Sequence, residues 1–336
     1  MNIAINGFGR IGRAAFKILL DKKFNDNLDI DIVAINDLAP IESLAYLLKH
    51  DTVYRNYNRN VEFDAQSLTV DGYRIPHLSE KDPSQLPWSD LNVDLVFECT
   101  GFFTTSEGSK LHLDAGAKKV ILSAPAKDDG FKTVVFGGEV STPDSNLLAN
   151  ASCTTNCVTP VIHVLDKYFG VEKALLTTVH AYTSTQSLVD GPNKKDVRRG
   201  RAAAQNIVPS STGAAKATGK VLPQVNGIFD GVALRVPVPT GSMSDITALL
   251  KKDVTVEEVN NAFKEAQDTD LFRGILKYSE EPLVSSDIIQ DSHSAIVDSM
   301  MTRVVGGNLV KVMAWYDNEW GYSNRLVEMG LLAVQS

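Results

Sequence analysis

Apolar positions recur along this chain with two periods, and the first half switches between them at regular intervals. Ile3-Ala4-Ile5-Asn6 is a short apolar run that predicts a strand, and Ala15, Ile18 and Leu19 share one side of the amphipathic helix expected after it. Ile32-Val33-Ala34-Ile35-Asn36 predicts a second strand and Val93 to Gly101 a buried one. Leu111, Leu113 and Ala115 mark a helix leading to a strand over Lys119 to Pro125, and Thr133-Val134-Val135-Phe136-Gly137 reads as one more strand. This alternation implies a doubly wound parallel sheet, whose ligands bind outside the strand C-termini, where Thr100 and Ser123 fall.

Near residue 150 the pattern centres on Asn150-Ala151-Ser152-Cys153-Thr154-Thr155-Asn156-Cys157. Val158, Val161, Ile162, Leu165 and Phe169 follow at helical spacing, and Ser152 and the threonines are N-cap types, so a helix is expected to begin at or near Cys153. Pro160 lies inside it and predicts a kink near Asn156. The first-turn N–H groups and the macrodipole favour an anion, so the Cys153 thiol is expected to shift towards thiolate. A fall from about 8.5 to about 6.5 would be worth roughly 2.7 kcal/mol. The bland alternative for Cys153 is a small buried hydrophobe; Cys157, one turn on, is read as packing. Two cysteines without nearby third and fourth ligands do not match zinc spacing, so no metal is expected.

Beyond the helix, Ala174 to His180 reads as a strand that delivers His180 to its end. A long polar loop over 184–206 carries Lys194, Lys195, Arg198, Arg199 and Arg201, and Ser210-Ser211-Thr212-Gly213 is a hydroxyl-rich turn suited to anions. Val232 to Val236, Ile246 to Leu250 and Leu309 to Trp315 alternate as strands of a mostly antiparallel mixed sheet. Arg235 interrupts the first of these, and a guanidinium there asks for an anionic partner. Val256 to Ala266 predicts a helix, and a last helix runs from about Asn318.

The glycines Gly7-Phe8-Gly9-Arg10-Ile11-Gly12 fall between the first strand and the first helix, and Asp37 ends the second strand. In that context the motif points to a dinucleotide, with pyrophosphate at the helix N-terminus and both ribose hydroxyls on Asp37. Length favours two domains: the chain has 336 residues, 43% hydrophobic and 22% charged, an ordinary globular composition. A net charge of −8 argues against a dedicated nucleic-acid surface. Three cysteines indicate no disulfide framework, and neither a signal peptide nor a long apolar span is visible, so a reducing, cytoplasmic setting with no membrane partner is expected.

Several stretches together resemble phosphorylating glyceraldehyde-3-phosphate dehydrogenases: Asn6 to Arg13, Ala151 to Cys157, His180-Ala181-Tyr182-Thr183, Pro209 to Lys216 and Trp315 to Tyr322. The resemblance runs in order along the whole chain. It implies an α/β protein with a Rossmann NAD-binding domain over 1–152, the C-terminal helix 318–336 packing back on it, an α+β catalytic domain over 153–317 with an eight-stranded mixed sheet, and a homotetramer. It implies Cys153 as nucleophile and His180 as base. Arg10, Ile11, Asp37, Lys81, Ser123 and Asn318 are similar to the family's NAD contacts, and Tyr322 packs near the nicotinamide. Thr183 and Arg235 resemble the site for the phosphate of glyceraldehyde 3-phosphate. Ser152, Thr154, Thr212 and Gly213, with Arg199 reaching in, resemble the site for inorganic phosphate. Two other readings stand beside this one: an erythrose-4-phosphate dehydrogenase, which shares the Cys/His pair, and an RNA- or protein-binding module.

Overall fold

The computed structural model describes residues 1–139 and 145–335. Of these, 1–134, 145–151 and 323–335 form one compact unit, and 135–139 and 152–322 form another.

The first unit is built on a nine-stranded sheet. Its parallel body runs, neighbour to neighbour, Leu147–Ala149, Lys119–Leu122, Leu95–Glu98, Asn2–Asn6, Asp31–Asn36 and Tyr73–Leu78. From Asn2–Asn6 the chain passes to one side through the helix Arg10–Asn25, and later returns to pair on the other side at Leu95–Glu98. That reversal is the switch point at which such sheets open a crevice. Burial on both faces explains the unbroken apolar runs: Ile3, Ala4, Ile5, Leu95, Val96, Phe97, Val120, Ile121 and Leu122 are all fully buried. An antiparallel extension, Val61–Phe63 and Ser67–Val70, continues from Tyr73–Leu78.

One sequence expectation is corrected here. The run 133–137 is not a strand beyond Thr133, and the strand preceding the cysteine helix is Leu147–Ala149. Gly137, at φ +81°, turns the chain, so Val134 and Val135 are buried without extending a ladder.

The second unit holds an eight-stranded mixed sheet. Its order is Val208–Ser211, Phe229–Val236, Val171–Ala181, Ser242–Leu250, Leu309–Tyr316, Ala295–Asp298 and Leu276–Ser279, with Arg303–Val305 also on Leu309–Tyr316. Most pairings are antiparallel, but Val171–Ala181 runs parallel to Phe229–Val236, and Leu276–Ser279 to Ala295–Asp298. The helix Cys153–Phe169 packs at the centre of this unit's core. Cys157, Val158, Val161, Ile162, Val164 and Leu165 are fully buried, and so are Thr155 and Thr159. The one-faced pattern of the sequence understates this, because the helices Ala214–Val221 and Val256–Ala266 cover what the sheet does not. Packing on all sides carries the helix unbroken across Pro160 to Phe169, although a proline supplies no N–H for Asn156.

Candidate active site

Ser152 shapes the entrance to the central helix. Its Oγ accepts the Thr155 N–H at 3.1 Å, so it is the N-cap and Cys153 is the first helical residue. Just before it, Ala151 sits at φ +52°, a left-handed conformation that strains a residue with a Cβ.

His180 reaches the same place from the sheet. Along Val171–Ala181 the buried alternate set is Ala174, Leu176, Thr178 and His180, and this face packs into the core that the cysteine helix occupies. The His180 Nε2 lies 3.3 Å from the Cys153 Sγ, and Nδ1 lies 2.7 Å from the Ala181 carbonyl. Tyr316 meets the imidazole edge-on at 6.0 Å. Its hydroxyl joins Thr154 at 2.9 Å and Thr178 at 2.8 Å, tying the helix start to the histidine strand.

Arg235 is the register partner of His180 on the parallel neighbour. Its Nη1 lies 2.7 Å from His180 Nδ1 and 3.1 Å from the Ala181 carbonyl, and its buried Nε has no hydrogen-bond partner among the described residues. A guanidinium so placed is a fitting receiver for an anion.

Electrostatics overturn one sequence expectation. Burial drives His180 down to about 3, assisted by the Arg235 charge, so the ring is neutral at ordinary pH. Burial also pushes the Cys153 thiol up, against the Arg235 guanidinium and nearby hydrogen-bond donors. The thiol is therefore not lowered by the helix terminus as expected: desolvation outweighs the dipole because Cys153 packs onto the core as well as starting the helix. Cys99 and Cys157 are pushed up to about 12 by burial, with no cation among the described residues helping either, so Cys153 alone of the three has a positive neighbour there.

The remaining expected residues divide. Thr183 Oγ1 pairs with Thr185 Oγ1 at 2.9 Å. Arg199 fastens on Ser210 Oγ through Nε at 2.9 Å and Nη2 at 2.6 Å, and its charge acts on both His180 and Arg235. Thr212 Oγ1 accepts the Ala214 N–H at 3.2 Å, and Gly213 is the N-cap of Ala214–Val221. Among the described residues, no hydrogen bond joins Thr183, Arg199, Thr212 or Gly213 directly to the thiol. Sequence reasoning missed Tyr316 and Ser210 as supports; both sit inside recognisable motifs, but nothing local marks which hydroxyl turns inward.

The residues expected to meet the cofactor in the first unit lie just beyond strand C-termini or at the start of the first helix. Gly7, at φ +91°, takes a left-handed turn, and a Cβ there would lie 2.7 Å from the Thr100 nitrogen. At Gly12 a Cβ would lie 2.1 Å from the Gly7 carbonyl, so helix and turn meet closely. Among the described residues nothing lies within 4 Å of a Cβ position at Gly9, leaving an open cradle beside the helix N-terminus at Arg10 and Ile11. This arrangement fits a pyrophosphate held by backbone N–H groups. The Arg10 guanidinium is engaged by Asp51 at 2.5 Å. Asp37 accepts the Phe8 N–H at 2.7 Å and the Ala39 N–H at 2.9 Å, locking the turn. Ser123 donates its N–H to the Glu98 carbonyl at 2.9 Å, and Lys81 is exposed just past Glu80. In the second unit, Asn318 Oδ1 accepts from Ser242 at 2.9 Å and Thr240 at 3.2 Å, which points its amide N–H groups elsewhere. The hydroxyls of Thr240 and Ser242 thus orient Asn318.

A glycine-turn parallel sheet joined in one chain to a unit with a cysteine–histidine pair defines a cysteine-dependent, nucleotide-using dehydrogenase. Comparison with known proteins narrows the class. Residues 1–106 match the glyceraldehyde 3-phosphate dehydrogenase NAD-binding domain, and residues 152–318 match the C-terminal domain of the same family. The chain is 52% identical over 340 residues to a glyceraldehyde-3-phosphate dehydrogenase of Mycobacterium avium, covering 100% of this chain and 99% of that one. It is 50% identical over 332 residues to glyceraldehyde-3-phosphate dehydrogenase 2 of Streptomyces avermitilis, covering 98% and 97%. It is 50% identical over 343 residues to a glyceraldehyde-3-phosphate dehydrogenase of Borreliella burgdorferi, with full coverage of both. The chain belongs to the glyceraldehyde-3-phosphate dehydrogenase family, and its cofactor is NAD. The erythrose-4-phosphate alternative gains no support from these relatives.

Proposed function

We propose that the protein oxidises D-glyceraldehyde 3-phosphate with NAD and inorganic phosphate to 1,3-bisphosphoglycerate, with residues 1–152 binding cofactor and 153–317 carrying the chemistry. The observation that carries this reading is the Cys153 Sγ at 3.3 Å from His180 Nε2, with the Arg235 guanidinium behind the ring. His180 Nε2 takes the thiol proton as Cys153 sulfur bonds the aldehyde carbon and hands it to the developing oxyanion, forming a thiohemiacetal whose hydroxyl faces the again neutral His180 and the helix N-terminus. NAD, held by Arg10, Ile11, Asp37, Lys81, Ser123 and Asn318, supplies the hydride acceptor. His180 then receives the hydroxyl proton, and the carbon is left as a Cys153 thioester. Phosphate oxygen attacks that carbon, the carbon–sulfur bond breaks, and Cys153 leaves as thiolate. Thr183 and Arg235 hold the substrate's own phosphate. Ser152, Thr154, Thr212, Gly213 and Arg199 present the attacking one.

The reading extends to a homotetramer acting in the cytoplasm. Three free cysteines suit a reducing compartment. Among the described residues, no helix is long and apolar enough to cross a membrane. Leu188, Val189 and Val197 stand exposed on the 184–206 loop, which suits a surface that meets another subunit.

The test is spectrophotometric: NAD reduction with glyceraldehyde 3-phosphate, with and without phosphate. Sustained turnover that needs phosphate supports the proposal. Rates unchanged by phosphate, or a preference for erythrose 4-phosphate, would overturn it.

A further inference from the structure

Glu98, at the end of the strand Leu95–Glu98, is fully buried, and the reaction makes no use of it. Its side chain is an acceptor at both oxygens. Oε2 takes the Asn6 amide N–H at 2.5 Å and faces His112 Nε2 at 3.1 Å. Oε1 takes the Thr100 N–H at 2.8 Å and also the Thr100 hydroxyl. The tautomer of His112 follows from its other edge: Trp88 Nε1, a donor only, lies 2.9 Å from Nδ1, so the ring proton is on Nε2 and points at Glu98. His112 is also fully buried, so the Glu98–His112 contact is shielded from solvent.

The cluster has a direction. Asn36 Nδ2 donates to Asn6 Oδ1 at 2.7 Å, and Asn6 Nδ2 donates onward to Glu98. Asn36 also exchanges bonds with the backbone of Glu80, donating at 2.9 Å and accepting at 2.8 Å. From Asn36 through Asn6 the side-chain donors run towards Glu98. Each anchored residue sits immediately before a cofactor element: Asn6 before Gly7, Asn36 before Asp37, Glu80 before Lys81, with Thr100 against the Gly7 turn. An apolar plug would fill the same space, but it would not dictate how the strand ends align. A fully satisfied buried polar network does.

We infer that Glu98 is a positioning residue for the cofactor: its carboxylate is the shared acceptor that keys three adjacent strand ends, so that the glycine turn, Asp37 and Lys81 are presented in one register. The inference rests on the first unit being an NAD-binding domain, and it is independent of the chemistry at Cys153.

The chain of donors makes a specific test available. Glu98→Gln keeps the shape but places an amide N–H₂ against donors on one side or the other. Asn6→Asp alone sets two carboxylates together. Combined, the two changes exchange roles. The new amide at position 98 would donate to the new carboxylate at position 6, and its carbonyl oxygen would still accept from Thr100. The carboxylate at position 6 would still accept from Asn36 and, across the present 3.3 Å approach, from His112. The measurement is calorimetric NAD binding, at a temperature where circular dichroism shows each variant folded, beside the iodoacetamide rate at Cys153. Each single change is expected to weaken NAD by about tenfold or more, and the double variant to recover to within about threefold of wild type. The alkylation rate should stay within about twofold throughout. A Glu98→Gln protein that melts earlier but binds NAD normally would reduce Glu98 to a fold support and overturn the inference. So would a double variant that binds no better than the singles. Should neither single variant fold, the double must both fold and bind; failure of either overturns it. Loss of NAD binding in the wild-type protein would instead strike at the proposed function.

Discussion

Arg235 and His180 meet edge to edge, with the guanidinium Nη1 2.7 Å from the imidazole Nδ1. The Ala181 carbonyl lies at the same 2.7 Å from that nitrogen. The two contacts require opposite tautomers. A bond from Arg235 needs a lone pair on Nδ1, which puts the proton on Nε2, facing Cys153. A bond to Ala181 needs an N–H at Nδ1, which frees Nε2 to accept the thiol proton. Only the second tautomer is a base, so an anion that draws the guanidinium off the ring readies His180 for proton transfer. In ¹⁵N NMR spectra, adding glycerol 3-phosphate should shift His180 towards the Nδ1–H form. An unchanged tautomer ratio at saturation would count against this coupling.

Protonation adds a pH signature. With His180 held down to about 3, no imidazolium assists the thiol. Alkylation of Cys153 in the cofactor-free protein should climb with pH through an inflection above the ordinary thiol value of about 8.5, with no step near 6.5. The same group affects stability. Unfolded, it titrates near 6.5; folded, near 3, so between those values the unfolded chain binds the extra proton and stability falls as pH drops. His180→Asn should flatten that slope by up to about 1.4 kcal/mol per pH unit. Urea midpoints at pH 4, 5 and 6 give the comparison, and identical slopes in the two proteins would refute the shift.

The glycine turn separates binding from folding. Gly9 has open space at its Cβ position and a φ of −71°, so Gly9→Ala should fold with stability within about 0.5 kcal/mol of wild type. The new methyl occupies the cradle, and NAD affinity should drop by about tenfold or more. Gly12→Ala drives a methyl to 2.1 Å from the Gly7 carbonyl and should cost about 2 kcal/mol or more of stability. Melting and NAD titration of the pair should give opposite patterns; a Gly9→Ala protein with normal affinity would place the pyrophosphate elsewhere.

How far these features can be read from sequence depends on how local their causes are. The glycine turn is legible because the backbone itself demands those residues. The helix start at Cys153 is legible because Ser152 caps it. Arg235 is conspicuous in an apolar strand, but its place against His180 comes from a cross-strand register between residues 55 apart, which no local pattern contains. On the helix Ser106–Asp114 the sequence favours Leu111 and Leu113 as the inward face, yet Ser109 and His112 are the fully buried residues, and Trp88 and Glu98 satisfy His112 from elsewhere in the chain. Leu147–Ala149 is too short to show a period. The direction of the thiol shift depends on burial, a tertiary quantity, and there the local dipole argument alone misled.

The 184–206 loop is ordered by its own backbone. Ser187 donates to Arg199 at 3.0 Å and Gly191 to Gly200 at 2.8 Å, while Asp190 pairs with Arg201 at 2.9 Å. It nonetheless exposes Leu188 at 81% and Val197 at 80%, an arrangement that costs nothing to fold but invites a partner. Changing both to Asp should leave the fold intact and weaken subunit association. Sedimentation velocity should show the variant as smaller species than wild type at the same concentration. A wild-type protein that is a fully active monomer would remove the ground for the tetramer.

On the proposed function, the phosphate of the substrate is the anion received at Arg235. Its Nε is buried without a partner among the described residues, and burial holds the guanidinium below its usual range, so the group is costly until an anion arrives. A phosphate there repays that cost only when the aldehyde carbon stands against Cys153, which turns remote binding energy into rate. Unphosphorylated glyceraldehyde should then be slow in kcat as well as weak in KM. Arg235→Leu should cut kcat/KM for glyceraldehyde 3-phosphate by about a hundredfold or more, roughly 2.7 kcal/mol, and change that for glyceraldehyde by much less. Two enzymes assayed against two aldehydes decide the matter. If both aldehydes slow by one common factor, Arg235 acts on the histidine or the fold, and its assignment to the substrate phosphate is wrong.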